Sequence, residues 1–378
     1  MPVGPDEIEV SLTYSFDYLR DSQPRMTVLH PWGSPATFSL SLLPTNSTVN
    51  AVEWSPNGEF LVVGADVSPY VFIFQRVGRT FTKLPNPALL PDGPVNCIGW
   101  SPDGTKLVIG GNFTGGSIAY ARSEATFIKW NISPPMGASS VVTGLSWSPN
   151  GEMLALINNS TSLVVHGGGP LMMTGRVNIP APGSAVKAAC WSPDGTILTI
   201  ATQNWPFVVS YKRIKSTSNY AGFPIFERMP DSMYFGGLSD VGYAVKWSPN
   251  GKYLALGGLG VGEECNVVYR YEGHRFFQIS YNSADVSTDT ATAVAWTPNS
   301  EFVAFADNSS TSLRIFQIEN DTLRLESKLI PSPATGALCC AWSPSTEFLA
   351  VGHSAGGLRI YQTGLDMPEK GYAVLVGG

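Results

Sequence analysis

The stretch Trp54-Ser55-Pro56-Asn57-Gly58 decides the fold, because it recurs along most of the chain. Four further copies are either identical to it or read Trp-Ser-Pro-Asp-Gly, and the last two are weaker, reading Trp-Thr-Pro-Asn-Ser and Trp-Ser-Pro-Ser-Thr. The seven copies begin at Trp54, Trp100, Trp147, Trp191, Trp247, Trp296 and Trp342, at intervals of 44 to 56 residues. A period of this length indicates a protein built from repeated small structural units.

Each copy lies in the same local pattern, which predicts four short strands per repeat. A strand precedes the tryptophan, and the Ser-Pro-Asx-Gly segment predicts a tight turn, since proline presets φ and Asx-Gly accepts positive φ. An apolar run such as Phe60–Val63 follows, as expected for a strand covered on both faces. Two more strands complete the unit. In the first repeat they are Tyr70–Gln75 and Thr80–Leu84.

Four antiparallel strands every 44 to 56 residues are typical of a β-propeller blade. Stacking blades in a ring buries both faces of each sheet, and each repeat tryptophan can bury about 150–250 Å² between neighbouring blades. The sequence therefore predicts an all-β fold, a seven-bladed β-propeller of four-stranded antiparallel blades with short N- and C-terminal arms.

The repeats resemble those of WD-repeat proteins over roughly residues 36–365. Two of that family's signatures are missing: no Gly-His precedes the first strands, and the third strands end in aromatic–Gln pairs such as Phe74-Gln75 instead of Trp-Asp. The resemblance implies a propeller that binds other proteins. The departures predict that the family's internal hydrogen-bond tetrad is absent.

Three segments are predicted: an N-terminal arm at 1–35, the propeller at 36–365 and a C-terminal tail at 366–378. Because the seventh repeat supplies three strands, we expect the alternating segment Thr37–Leu43 to complete its blade. The arm also alternates, which predicts a strand. It could pair with the apolar C-terminal run Tyr372–Val376, cap the ring, or add to a neighbouring subunit's sheet.

Composition and net charge indicate which classes of molecule this protein binds. A net charge of −6 with scattered basic residues argues against nucleic acid, which needs a concentrated Lys/Arg footprint. Charged residues make up 14% of the chain, below the roughly 25% usual for soluble domains. This favours coverage by other protein subunits of an assembly, including a homo-oligomer. We expect no signal peptide, no membrane insertion, synthesis in the cytoplasm and incorporation into a virion.

The sequence predicts no catalytic residue, no cofactor and no metal ligand. The five cysteines match no zinc spacing and are expected to be free thiols. Gly352-His353-Ser354-Ala355-Gly356 fits the serine-hydrolase pattern Gly-x-Ser-x-Gly, but its position predicts a turn between strands. A polar residue typical of turn caps stands twelve positions after five of the repeat tryptophans. These residues are Asp66, Asn112, Asn159, Gln203 and Asn308.

Two groups of residues are predicted to bind partners. The first is the apolar side of the arm, Ile8, Val10, Leu12, Tyr14 and Phe16. The second lies in the longest interval, whose extra residues are rich in aromatic and methionine side chains, a composition typical of interfaces: Tyr220, Phe223, Met233, Tyr234 and Phe235.

The predicted function is therefore a non-enzymatic protein–protein interaction or structural module. The stretch Arg76–Pro85 is similar to propellers among tailed-bacteriophage structural proteins, which implies a virion component such as a tail, fibre or decoration protein. The alternatives are an intracellular WD-repeat-type adaptor scaffold and a propeller that binds or cleaves glycans through its central channel.

Overall fold

A computed structural model describes residues 38–39, 43, 47–130, 141–158, 163–167, 175–177, 179–180, 182–214, 225–230, 241–259, 265–281, 290–308, 313–326, 336–355 and 357–363. Within them the chain forms strands and turns and no helix. Each of the seven repeats makes one antiparallel sheet, and the first strands of successive sheets pack side by side, with the last packing on the first. The predicted seven-bladed β-propeller is confirmed.

The first four blades follow the repeats in order. Blade 1 contains β2 (Val49–Trp54), β3 (Phe60–Ala65), β4 (Val71–Val77) and β5 (Thr80–Lys83); blade 2 contains β6 (Val95–Trp100), β7 (Lys106–Gly111), β8 (Ser117–Ser123) and β9 (Thr126–Lys129). Blade 3 contains β10 (Val142–Trp147), β11 (Met153–Asn158), β12 (Leu163–Gly167) and β13 (Gly175–Val177); blade 4 contains β14 (Val186–Trp191), β15 (Ile197–Thr202), β16 (Val208–Ile214) and β17 (Ile225–Arg228).

The last three blades differ at their outer edges. Blade 5 contains β18 (Val241–Trp247), β19 (Tyr253–Leu259), β20 (Asn266–Glu272) and β21 (Arg275–Gln278). Blade 6 contains β23 (Ala291–Trp296), β24 (Phe302–Asp307), β25 (Leu313–Glu319) and β26 (Thr322–Leu325), with β22 (Ser280–Tyr281) added in parallel beside β26. Blade 7 contains β27 (Ala337–Trp342), β28 (Phe348–His353), β29 (Leu358–Gln362) and β1 (Phe38–Ser39).

Ring closure follows the predicted route. Phe38 pairs with Ile360 and Ser39 with Arg359, so the N-terminal side of the propeller supplies the fourth strand of blade 7. Residues 37 and 40–42 of the predicted segment lie outside the described residues, as do both predicted arms. Closing the ring within one sheet ties the two ends of the propeller together by backbone hydrogen bonds.

The second strand of each blade carries the core. Strands β3, β15, β24 and β28 are buried at every residue, because a neighbouring blade covers each of their two faces. This explains why these runs are mainly apolar and do not alternate between apolar and polar residues.

The Ser-Pro-Asx-Gly segment forms the expected turn. In blade 1, Ser55 Oγ accepts a hydrogen bond from the Phe60 amide (2.8 Å) and donates one to Asn57 Oδ1 (2.6 Å). Gly58 closes the turn at φ 68°. In the two weaker copies Ser300 and Thr346 occupy this position at φ 62° each, so the turn survives without glycine.

Candidate functional site

The ring has two ends, and each collects a different set of turns. We call the end with the Ser-Pro-Asx-Gly turns the hairpin face. The opposite end, with the turns between second and third strands, is the loop face; Asp66–Tyr70, Asn112–Gly116 and Gln203–Phe207 belong to it. The first strands run from the loop face to the hairpin face around the central channel.

Among the described residues of the loop face, Trp205 is the exposed large aromatic side chain, with 68% of its surface accessible. It lies in the turn between β15 and β16. Neighbouring residues fix this turn: the Asn204 amide donates to Ser184 Oγ (2.9 Å), and Thr202 Oγ1 donates to the carbonyl of Asn204 (3.1 Å). A large indole held outward on an anchored turn is the kind of side chain that dominates protein interfaces.

The other strongly exposed apolar side chains lie elsewhere. They are on third and fourth strands, at the outer rim of the ring: Val77, Ile128, Ile225 and Phe277. Phe277, 45% exposed, is the aromatic member of this group.

The repeat tryptophans lie in the joints between blades. The indole of Trp54 donates to the carbonyl of Ala341 in blade 7, and those of Trp147, Trp191 and Trp296 donate to the equivalent carbonyls of Gly99, Ser146 and Lys246 in the preceding blade. Trp247 donates to Thr199 Oγ1 (3.0 Å). Trp100 and Trp342 have no acceptor among the described atoms for the indole nitrogen. The joints are therefore similar in packing but unequal in hydrogen bonding.

Ion pairs cross several of the same joints. An arginine near the end of a third strand pairs with a glutamate that lies five residues after the repeat tryptophan of the preceding blade, as in Arg76–Glu347 (3.1 Å) and Arg213–Glu152 (3.3 Å). Between blades 5 and 6 the signs are reversed. There the equivalent position is Lys252, and Asp321 of blade 6 supplies the negative charge (2.9 Å).

Asp321 collects three donors. Tyr253 Oη (2.6 Å) and Lys252 Nζ (2.9 Å) approach Oδ1, and Arg270 Nη1 (2.8 Å) approaches Oδ2. These donors, the Tyr253 hydroxyl first, hold the pKa of Asp321 below its ordinary 3.8. Asp321 is 29% exposed, so solvent screens the pairs and their net effect stays modest.

We predict that Asp321→Asn lowers the free energy of unfolding by about 1 kcal/mol at neutral pH. The carboxyl pKa is depressed on folding, so its contribution is complete above the unfolded-state pKa near 3.8 and is lost as the pH falls below it. Thermal unfolding from pH 3 to 8 should therefore show a constant gap between wild type and variant that closes only in acid. A gap that persists unchanged in acid would contradict this account.

The central channel is a cavity of about 390 Å³ lined by the first strands of all seven blades. One ring of lining residues stands four positions before each tryptophan: Asn50, Asn96, Thr143, Lys187, Tyr243, Thr292 and Leu338. Several of them join blades. Asn50 Nδ2 donates to Val95 O (3.3 Å), Asn96 Nδ2 to Val142 O (3.4 Å) and Thr292 Oγ1 to Ala337 O (3.1 Å), each in the next blade.

Two opposite charges face the same channel nearer the hairpin face. Glu53 in blade 1 and Lys246 in blade 5 each stand one position before the tryptophan, and blades 1 and 5 lie nearly opposite in the ring. Glu53 is half-buried. Lys246 is enclosed by the channel wall yet exposed, because its surface faces the open lumen.

Their pKa values reflect this setting. Burial raises the pKa of Glu53 above its ordinary 4.5, and the charge of Lys246 offsets part of the rise. Burial lowers the pKa of Lys246, but the attraction of Glu53 outweighs it, so the net pKa is raised above 10.5. Lys246 is therefore a cation at neutral pH.

The five cysteines are free thiols. Cys97, Cys339 and Cys340 line the channel, but burial raises the pKa of each, for Cys340 to about 12. They remain protonated at neutral pH, and a thiol in this state is neither a nucleophile nor a good metal ligand. Among the described residues, no group of three or more His, Cys, Asp or Glu side chains could hold a metal ion.

The Gly-x-Ser-x-Gly stretch lies where the sequence indicated. Ser354 follows β28 in the turn to β29, two antiparallel strands, and its hydroxyl points to Gly336 O (3.4 Å). The nucleophile elbow of hydrolases needs a strand-to-helix turn, which this site is not. Asp66 also acts as a turn cap, because its Oδ1 accepts a hydrogen bond from the Thr48 amide (2.8 Å).

The predicted partner-binding residues all lie outside the described residues: Ile8, Val10, Leu12, Tyr14, Phe16, Tyr220, Phe223, Met233, Tyr234 and Phe235. They stay predictions. Sequence reasoning missed Trp205, Glu53 and Lys246. The charged pair could have been found by aligning the repeats, because five of the seven positions before the tryptophan hold Gly, Ser, Cys or Ala and the two exceptions carry opposite charges.

Comparisons with known proteins agree with this architecture. The family model "WD domain, G-beta repeat" matches residues 38–66 and 88–115, in the first two repeats. A chain in the "Crystal Structure of Mitotic Checkpoint Complex" superposes with a TM-score of 0.59 at 18% identity, over 84% of this chain and 90% of that one. At that identity the likeness concerns the fold alone. Together these findings support a WD-repeat-like propeller.

One curated relative is an enzyme. "Prolyl endopeptidase FAP" from Bos taurus is 30% identical over 110 residues, which is 28% of this chain. The match spans 14% of that protein's length. In the described part of this chain, no helix has the length and apolarity needed to cross a membrane.

Proposed function

We propose that this protein is an interaction scaffold whose loop face binds another protein, and that it acts by binding rather than catalysis. The observation that carries the proposal is the exposed indole of Trp205 on an anchored turn of a closed ring. Binding to a rigid surface loses little conformational entropy, and a tryptophan that becomes buried in an interface is a frequent source of most of its affinity.

The joints support the same reading. Indole hydrogen bonds and Arg–Glu pairs link successive blades, so the turns of the loop face are held at fixed spacings. A surface with fixed geometry can present several loops to one partner at once. The low charged fraction also suits a chain partly covered by other proteins.

The test is a comparison of two exposed aromatic residues. We predict that Trp205→Ser weakens binding of the principal partner by about 30-fold or more, the effect of losing roughly 2 kcal/mol at an interface centre. Partners would be captured from the native source on immobilised protein, identified by mass spectrometry, and their affinity measured with purified components.

Phe277→Ser is the matched control, since Phe277 is exposed on the outer rim and not on the loop face. It should leave the affinity unchanged. Equal retention by wild type and Trp205→Ser, or equal loss in both variants, would contradict binding through the loop face.

The virion role and the cellular adaptor role predict different binding partners. A virion role predicts capsid, tail or fibre proteins among those captured, and the comparisons lend it no support. The adaptor alternative predicts cellular regulatory proteins among those captured. Because a peptidase is among the relatives, turnover of prolyl peptides, together with a glycan panel, is the assay that would overturn the non-enzymatic part of the proposal.

A further inference from the structure

Glu53 and Lys246 stand at the same level of the channel wall, and neither has a structural partner. Neither has a hydrogen bond or an ion pair within 4 Å to any described residue. By contrast, the side chains of Asn50, Asn96 and Thr292 donate hydrogen bonds to backbone carbonyl groups of the next blade. The charged pair therefore does not hold the ring together through contacts of this kind.

Keeping the half-buried Glu53 charged has a cost that Lys246, whose surface faces the open lumen, does not share. A carboxylate removed from bulk water loses hydration that only a close partner restores. The two groups lie in nearly opposite walls of the same cavity and no ion pair within 4 Å joins them, which leaves a gap between them. Small residues at the equivalent position of the other blades, among them Ala295 and Ala341 on the cavity wall, keep that gap open.

The cavity is of the size that binds small molecules. Its volume of about 390 Å³ falls within the range of roughly 300–1,000 Å³ usual for ligand pockets, and its wall combines apolar strand residues with polar and charged ones. A ligand that fits must be small and must offer a cation to Glu53 and an anion to Lys246.

We propose that the channel binds a small zwitterion, a molecule with an ammonium group and a carboxylate, of which free amino acids and short peptides are the common sources. The ammonium group donates to the Glu53 carboxylate while the carboxylate accepts from Lys246 Nζ. Each contact is a charge-assisted hydrogen bond in a site partly shielded from water. This site is separate from Trp205 and does not depend on the partner proposed for the loop face.

The experiment titrates the full chain with zwitterions of increasing charge separation: glycine, β-alanine, 4-aminobutyrate, 6-aminohexanoate and triglycine. Binding is followed by calorimetry and ligand-observed NMR. We expect saturable binding with an optimum length, and at least about 10-fold weaker binding in each of Glu53→Gln and Lys246→Met, since a hydrogen bond to a charged group contributes roughly 1.5–3 kcal/mol. An optimum at triglycine points to peptides, and one at a shorter member to free amino acids.

Methylammonium and acetate test whether both charges are needed, and should bind far more weakly than the best zwitterion. Lys187→Met, at another level of the same channel, is the matched control and should bind like wild type. The exchange variant Glu53→Lys with Lys246→Glu should recover binding with the ligand reversed. Absence of saturable binding to the whole series, equal binding of a singly charged ion, or unchanged binding in Glu53→Gln and Lys246→Met would each overturn the proposal.

Discussion

Trp54→Ala is expected to lower the free energy of unfolding by about 3–5 kcal/mol, the usual cost of removing a large aromatic side chain from a core. Trp54 is 5% exposed and fills the joint where blade 1 meets blade 7. Its ring stacks on Phe348 of blade 7 at 6.3 Å between centroids and packs against Phe81 of its own blade at 5.9 Å. Urea denaturation followed by tryptophan-independent far-UV circular dichroism measures the loss.

Trp54→Phe and Trp100→Phe separate the hydrogen bond from the packing. Trp100 is 6% exposed and has a matching environment, stacked on Phe60 at 6.3 Å and packed on Phe127 at 5.8 Å. Its indole nitrogen, however, has no acceptor among the described residues, whereas that of Trp54 donates to Ala341 O at 3.2 Å. Trp54→Phe should therefore cost about 1 kcal/mol more than Trp100→Phe.

The outcome would also bear on how the ring closes. If both phenylalanine variants lose the same stability, the hydrogen bond to Ala341 contributes nothing net, and packing alone holds the joint. If Trp54→Phe broadens the transition, blade 7 and blade 1 separate before the rest of the ring unfolds, because repeat arrays lose cooperativity at their weakest interface.

The architecture could be predicted from the sequence because each repeat contains the same pattern of strands and turns. Seven tryptophans before seven turns fix the number of blades, and the apolar second strands fix which strand is buried on both sides. The completion of blade 7 by Phe38–Ser39 was also predictable, since that blade lacked a fourth strand.

The candidate sites could not be predicted in the same way, because they depend on departures from the repeat. Glu53 and Lys246 are 193 positions apart in the sequence. They face the same channel only because ring closure brings blades 1 and 5 to opposite sides of it. Trp205 lies in a five-residue turn like those of blades 1 and 2, where the equivalent residues are Ser68 and Thr114, so only the residue type is particular to blade 4. The addition of Ser280–Tyr281 to blade 6 is likewise a single event without a repeating signal.

The joints between blades also differ from one another in detail. In the joints described below, the sizes of the facing residues are matched across neighbouring blades. Gly110 near the end of β7 faces Val142 of blade 3, whereas the equivalent Ala201 of blade 4 faces Gly242 of blade 5. Blade 3 carries the larger Ile157, and Gly144 beside it leaves the room it needs. Close packing of this kind makes the cost of an added methyl group depend on the residue opposite.

Gly110→Ala should therefore destabilise the protein by about 1–3 kcal/mol through overpacking. A Cβ at Gly110 would lie 2.6 Å from Val142 Cγ1 and 2.8 Å from Cys97 Sγ, far inside van der Waals contact. Gly257→Ala is the matched control: its Cβ would meet Ala291 Cβ at 3.1 Å, a contact that a shift of a few tenths of an ångström relieves, so its cost should be smaller.

The double variant Gly110→Ala with Val142→Ala decides whether the close approach is the cause. Removing the two valine methyl groups makes space for the new Cβ and gives the joint the same facing residues as Ala306 and Ala337 between blades 6 and 7. The double variant should be more stable than the sum of the two single effects predicts, by roughly 1 kcal/mol or more, within the range of coupling energies of residues in contact. Strict additivity in urea denaturation would place the cost of Gly110→Ala within blade 2, in the contact with Cys97 Sγ or in the strand backbone, and not in the joint with Val142.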